Sequence, residues 1–258
     1  MNINSYGMFS RFYDTLTDSD YYKKLYNLYC ELLRESGTES GTVLDLACGT
    51  GKLTIKLADE GYDCIGADAS PEMLSIAINK SADKNITYIC QHMQDLDLYG
   101  SVNAVVCALD SLNHITNPEE LAIIFERVSL FLEPGGVFIF DVNTVYKHWL
   151  TLSDNSFVYE CEDFLLVWLN QTEGDLTDIT LDFFVKQDNR AETNKTEQLY
   201  RRYTEHLCER GYDYETIDEL AKKAGLKITS AKDFENNGKI TGETQRAIYT
   251  AVKSSSLN

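Results

Sequence analysis

No pair among the chain's seven cysteines has the C-x-x-C spacing, and an odd number cannot close completely into disulfides. Cys30, Cys48, Cys64, Cys90, Cys107, Cys161 and Cys208 lie mostly in apolar runs. That pattern reads as reduced, buried thiols, not as a disulfide frame or a zinc site. The stretch MNINSYGMFSRFYD has no apolar core of signal-peptide length. No run approaches the roughly 20 apolar residues of a membrane span. The expectation is a soluble, cytoplasmic protein. Basic residues are also scarce: 23 Lys and Arg stand against 41 Asp and Glu, a formal net charge of −18. Such a mean field repels phosphate backbones and anionic lipid, so nucleic acid and membranes are poor partners, and the acidity reads first as solubility. Internal repeats and low-complexity segments are missing too.

What is present is a chain of 258 residues, 43% hydrophobic, enough for one large α/β domain or one domain with an insertion. YYKKLYNLYCELLRES spaces Leu25, Leu28, Tyr29, Leu32 and Leu33 by three and four, predicting an amphipathic helix closed by Gly37. Short apolar strands then alternate with helices from Val43 to about Val142. TVLDLAC, DCIGAD, ITYIC, VNAVVCAL and VFIFDV are the strands. The helices include SPEMLSIAINK, with Ser70 as N-cap and Pro71 at its first position, and NPEELAIIFERVSLFL, with Asn117 as N-cap and Glu120 at a capping-box spacing. Nearly continuous apolar strands imply burial on both faces, hence a doubly wound, mostly parallel sheet. Residues 155–210 carry longer, partly alternating runs, predicting a small antiparallel sheet inserted over the ligand edge. A last helix and two strands complete a seven-stranded main sheet. The domain reading is a helical cover over 1–40, a main domain over 41–150 and 211–258, and an antiparallel lid over 151–210.

In such folds ligands bind beyond the carboxyl ends of the strands. The turn VLDLACGTG presents free backbone N–H groups and no side chain at Gly49 and Gly51. Asp68 ends the second strand, where a carboxylate can accept from ribose hydroxyls. A dinucleotide fingerprint wants a third glycine where Thr54 stands. Asp45, inside the first strand, gains nothing from a diphosphate but would welcome a ligand carrying an ammonium and a sulfonium.

VLDLACGTG followed by IGADASPEML, with LEPGGVFIFDV further on, resembles the signatures of class I S-adenosylmethionine-dependent methyltransferases. The resemblance implies a Rossmann-like methyltransferase fold with S-adenosyl-L-methionine as cofactor and S-adenosyl-L-homocysteine as product. It implies that Asp45 holds the methionine ammonium, that Ala47, Cys48, Gly49 and Gly51 line the cofactor, that Asp68 binds the ribose and that Ala69 lies beside adenine. In ICQHMQDL the family has an acid before a residue like Met93, whose backbone meets the ring. Here His92 takes that place, and Asp95 is a possible substitute. Leu109 and Asp110 fall near the methionine end. SYGMFSRFYDTL resembles a helix that folds over the cofactor in a subset of the family, which implies that Tyr13 contacts the cofactor and Tyr6 the substrate.

Candidates for acceptor contact are Asp110, Asn113 and His114 after strand four, Asp141 and Asn143 at strand five, and Tyr159, Trp168, Tyr203 and His206 from the inserted sheet. His114 and Asp110 are the catalytic candidates. His114 is the best-placed base, with bracing of its loop as the alternative. The transfer needs alignment and a dry site, no metal, and a base only if the nucleophile must lose a proton. The function expected is methylation of a small-molecule acceptor at nitrogen or oxygen. A non-catalytic cofactor-binding protein and an NAD-dependent oxidoreductase are the alternatives.

Overall fold

The computed structural model describes residues 7–17, 19–187 and 198–254. Two helices open it, α1 (Gly7–Leu16) and α2 (Asp20–Glu35). A regular alternation follows: β1 (Thr42–Leu46), α3 (Lys52–Asp59), β2 (Asp63–Asp68), α4 (Pro71–Lys80), β3 (Ile86–Cys90), β4 (Val102–Cys107), α5 (Pro118–Phe131) and β5 (Leu132–Asn143). The expected caps form: Ser70 Oγ accepts from the Met73 N–H, and Asn117 Oδ1 accepts from the Glu119 N–H. Each such cap stabilises its helix by about 1 kcal/mol.

The short α6 (Val145–Lys147) runs into a single π turn, His148–Leu152, and leads to β6 (Ser156–Glu160), β7 (Phe164–Glu173), β8 (Leu176–Lys186) and β9 (Tyr200–Arg210). Helix α7 (Tyr214–Lys223) and strands β10 (Leu226–Asp233) and β11 (Arg246–Lys253) follow. The main sheet has the order β10-β11-β5-β4-β1-β2-β3, with β11 antiparallel to both neighbours and the other pairs parallel. The second sheet, β6-β7-β8-β9, is antiparallel throughout.

Alternation along the strands sorts residues between two faces. Leu44, Leu46, Phe138 and Phe140 pack under α5 and α7, whereas Val43, Val137 and Ile139 pack under α2 and α3. Asp45 and Asp141 fall on the second face by the same period of two, which sets them against α3 and α2. The LEPGG segment does not break β5. Val102 pairs with Leu132 and Ala104 with Val137, so the intervening residues bulge out of register.

A third core joins the layers. Phe164, Leu166, Leu181 and Phe183 on the inner face of the second sheet receive Phe12 of α1, whose ring lies 4.2 Å from that of Phe164. Of the cysteines, Cys30, Cys48, Cys64 and Cys107 are buried as expected, but Cys90 is exposed and Cys161 and Cys208 are half-buried. Among the described residues, no helix is long and apolar enough to cross a membrane.

Candidate active site

The turn after β1 uses its two glycines differently. Gly49 has φ +53°, and a Cβ there would meet nothing within 4 Å, so its bare backbone faces open space. Gly51 has φ +77°, but its Cβ would press on Ala77 of α4 at 3.0 Å and on the Tyr88 hydroxyl at 2.9 Å. The first glycine clears room for a ligand, the second for helix packing. Gly51 therefore does not line the cavity, contrary to the sequence expectation. Ala47, at φ +60°, accepts a left-handed conformation that costs an L-residue about 1–2 kcal/mol.

Asp45 is 2% exposed, and its Oδ2 accepts from Thr54 Oγ1 at 2.5 Å. Burial pushes its carboxyl up to about 7, with the Thr54 hydrogen bond opposing that rise. Thr54 stands where a dinucleotide site wants glycine, and here it positions the carboxylate. Asp45, Tyr13, Ala47, Cys48, Gly49 and Leu109 enclose a small recess beside the turn. This recess adjoins a larger cavity, with Tyr13, Ala47, Gly49 and Leu109 lining both.

Asp68 lies on the wall of that larger cavity. Its Oδ2 accepts from the Gly49 N–H and its Oδ1 from the Ser70 N–H, each at 2.8 Å. Burial nonetheless raises its carboxyl above the usual carboxylate range. Ala69, Met73, Gln91, His92, Met93 and Gln94 continue the wall. Asp95 is not part of it.

Leu109 and Asp110, after β4, are both left-handed, at φ +59° and +52°. Two such residues in succession persist only where their surroundings over-determine them. Here Asp141, fully buried, accepts from the Leu109 N–H at 2.8 Å and the Asp110 N–H at 3.0 Å. Tyr29 of α2 donates to the same carboxylate at 2.6 Å. The Arg246 guanidinium, from β11, bridges Asp141 and Asp110, and Asn143 donates to Asp110 at 2.8 Å. Burial alone would raise Asp110, but Arg246, Lys147 and His114 outweigh it and hold the carboxyl at about 2. Asn113 exchanges hydrogen bonds with the backbone of Asn143 and donates to the Arg210 carbonyl. Asn113, Asp141 and Asn143 thus brace the corner from behind the cavity and do not line it.

Beyond this corner the cavity is walled by Tyr22, Asp110, His114, Ile115, Trp168, Leu207 and Glu209, with Phe9, Tyr13, Leu16 and Thr17 of the α1 segment across it. Of the residues expected here from the second sheet, only Trp168 arrives, its indole Nε1 donating to Asn170 at 2.6 Å. Tyr203 packs against the Phe12 core, Tyr159 is 42% exposed on β6, and His206 faces outward beside Thr180. Tyr6 lies outside the described residues. Sequence reading missed Tyr22 and Glu209. The signal for Glu209 is the alternation Tyr203, Glu205, Leu207, Glu209 along one face of β9, which places a carboxylate in an inward row.

A family model described as a methyltransferase domain matches residues 43–136. The chain is similar to a crystal structure of an S-adenosylmethionine-dependent methyltransferase from Clostridium acetobutylicum ATCC 824, at 34% identity and a TM-score of 0.83, covering 97% of this chain and 100% of that one. It is 29% identical over 236 residues to the putative methyltransferase YqeM of Bacillus subtilis, covering 90% of this chain and 92% of the relative. A shorter likeness, 31% over 120 residues and 46% of each chain, is to a dTDP-3-amino-3,6-dideoxy-alpha-D-glucopyranose N,N-dimethyltransferase of Streptomyces fradiae.

Proposed function

The chain belongs to the S-adenosylmethionine-dependent methyltransferases, and from that premise we propose that its acceptor is a small molecule with a nucleophilic nitrogen. When bound, S-adenosylmethionine supplies a methyl group on a sulfonium, and transfer leaves S-adenosylhomocysteine with the electron pair of the broken C–S bond on sulfur. The donor set fits this cofactor. The open backbone at Gly49, the buried carboxylate of Asp45 and the half-buried carboxylate of Asp68 on the cavity wall suit a ligand that is cationic at one end and a sugar in the middle. In this reading Asp45 in its recess takes the methionine ammonium, Asp68 the ribose hydroxyls, and Ala69, His92 and Met93 the adenine. Tyr13, Cys48 and Leu109 close around the thioether end.

The observation carrying the amine is the lining beyond Asp110: rings of Tyr22 and Trp168 beside the carboxylate of Glu209 and the imidazole of His114. Aromatic faces and carboxylates favour a cationic or basic nitrogen over a neutral hydroxyl. His114 and Glu209 are the side chains of acid–base type facing the acceptor space, and the Asp110 corner orients the acceptor. On this proposal residues 151–210 are the lid, 1–40 the cover, and 41–150 with 211–258 the cofactor domain. The odd, unspaced cysteines favour the cytoplasm.

Calorimetric titration with S-adenosylhomocysteine tests the cofactor site. Binding is expected, weakened about ten- to hundredfold in Asp68→Ala, or roughly 1.5–3 kcal/mol for lost charge-assisted hydrogen bonds. Incubation with methyl-13C cofactor and matched amine and alcohol acceptors should give N-methyl products. O-methyl products alone would sink the amine reading.

A further inference from the structure

Glu209 is 4% exposed, yet it lines the cavity from β9. His114 Nε2 stands 3.7 Å from its Oε1 and His148 Nε2 3.9 Å from its Oε2, both beyond hydrogen-bonding length. His148 is fully buried on the π turn, and its Nδ1 pairs with Thr177 Oγ1 at 2.8 Å. Its Nε2 is buried without a hydrogen-bond partner. Burial pulls this imidazole down to about 4, so it is neutral at pH 7. With the Nδ1 proton assigned to Thr177, Nε2 presents a bare lone pair toward Glu209. In that tautomer two acceptors face each other behind the cavity wall, an arrangement that a donor arriving between them relieves.

We propose that Glu209 is the acceptor-binding residue for this reaction: its carboxylate holds the acceptor's ammonium nitrogen and takes the proton that nitrogen must lose, with His148 Nε2 behind it to receive the new O–H. The proposal rests on the methyltransferase reading above. The step balances. One N–H bond breaks with its electron pair kept by nitrogen, one O–H bond forms on Glu209, and the freed lone pair becomes the nucleophile. After transfer the proton passes from Glu209 to solvent. The charged and titratable groups around Glu209 are Asp110 and His114 from the turn after β4, Lys147 and His148 from α6 and its π turn, and Arg246 from β11. Burial raises the proton affinity of the Glu209 carboxyl against the pull of His114, Lys147 and Arg246, which suits it to accept. Asp110, paired with Arg246 and Asn143, is too firmly held as a carboxylate to do the same.

The test uses benzylammonium and its neutral counterpart benzyl alcohol, titrated into the S-adenosylhomocysteine complex of the wild type and of Glu209→Gln, with circular dichroism to check the variant's fold. The wild type should bind benzylammonium at least tenfold more tightly than the alcohol, and that ratio should fall toward one in Glu209→Gln. A wild-type ratio near one overturns the proposal without any variant, as does a ratio that survives in Glu209→Gln. Failure of the wild type to bind S-adenosylhomocysteine at all would instead overturn the methyltransferase reading beneath it, and this proposal with that.

Discussion

Asp45 carries the clearest pH signature in the molecule. Its carboxyl sits at about 7 in the fold, because burial outweighs the Thr54 hydroxyl, against 3.8 when free. A raised carboxyl pKa favours the protonated protein, so this group's stabilising contribution is present below about pH 4 and lost as pH rises toward 7. A ligand ammonium reverses the preference, since it favours the charged form. Affinity for S-adenosylhomocysteine should therefore climb between pH 6 and 7 with release of a proton, then fall only at more alkaline pH, where the ligand's own amine loses its charge. Calorimetry in buffers of different ionisation enthalpy measures that proton, and Asp45→Asn should abolish its release. A pH-independent affinity in the wild type would contradict the assignment. Asp45, Gly49 and Asp68 were all legible in the sequence, since strand-end position and residue type are local information. Thr54 was read only as a missing glycine, because its hydroxyl gains meaning once α3 lies over the Asp45 face of the sheet. Gly51 was read as ligand contact, because nothing local reveals that Ala77 and Tyr88 fill its space.

Helix α1 is tied down at both ends. Glu205 Oε1, on β9, accepts from the Met8 and Phe9 N–H groups at 2.5 and 3.0 Å, capping the helix from another element. Asp14 accepts from Thr50 at 2.6 Å and from Lys80 at 2.7 Å, and the Asp14 carbonyl accepts from Lys52 at 2.9 Å. Removing the cap with Glu205→Ala should cost about 1–2 kcal/mol locally and reduce hydrogen-exchange protection across Gly7–Leu16 by about tenfold. Saturating S-adenosylhomocysteine should restore much of it, since Phe9 and Tyr13 line the shared cavity. Unchanged exchange in the variant would show that the packing of Phe12 and the Asp14 contacts hold the helix without the cap. The strands and helices themselves were visible as periodicity, from the caps at Ser70 and Asn117 to the four runs of the inserted sheet. What periodicity could not supply was register. The sequence reading took Tyr203 and His206 together from β9, although they lie on opposite faces: His206 faces solvent, and the inward row runs from Tyr203 to Glu209.

Across the whole molecule, the acceptor corner draws on distant stretches of chain. Asp110 follows β4, Asp141 ends β5, Tyr29 comes from α2, and the guanidinium joining the two carboxylates comes from β11, more than a hundred residues further on. The sequence pattern announced a parallel sheet but not this convergence, because β11 enters between β5 and β10 antiparallel to both. During synthesis a ribosome must therefore release Arg246–Lys253 before Asp141 acquires its counter-ion and before the edge of β5 is covered. Until then the nascent chain exposes an unpaired strand and a carboxylate destined for burial. Arrested chains that keep Arg246–Lys253 inside the exit tunnel should stay sensitive to protease however long they wait, and those extended by a C-terminal linker long enough to expose that strand should become resistant. Competence thus arrives abruptly, with the last strand threaded, and a chaperone that shields β5 in the interval would raise the yield.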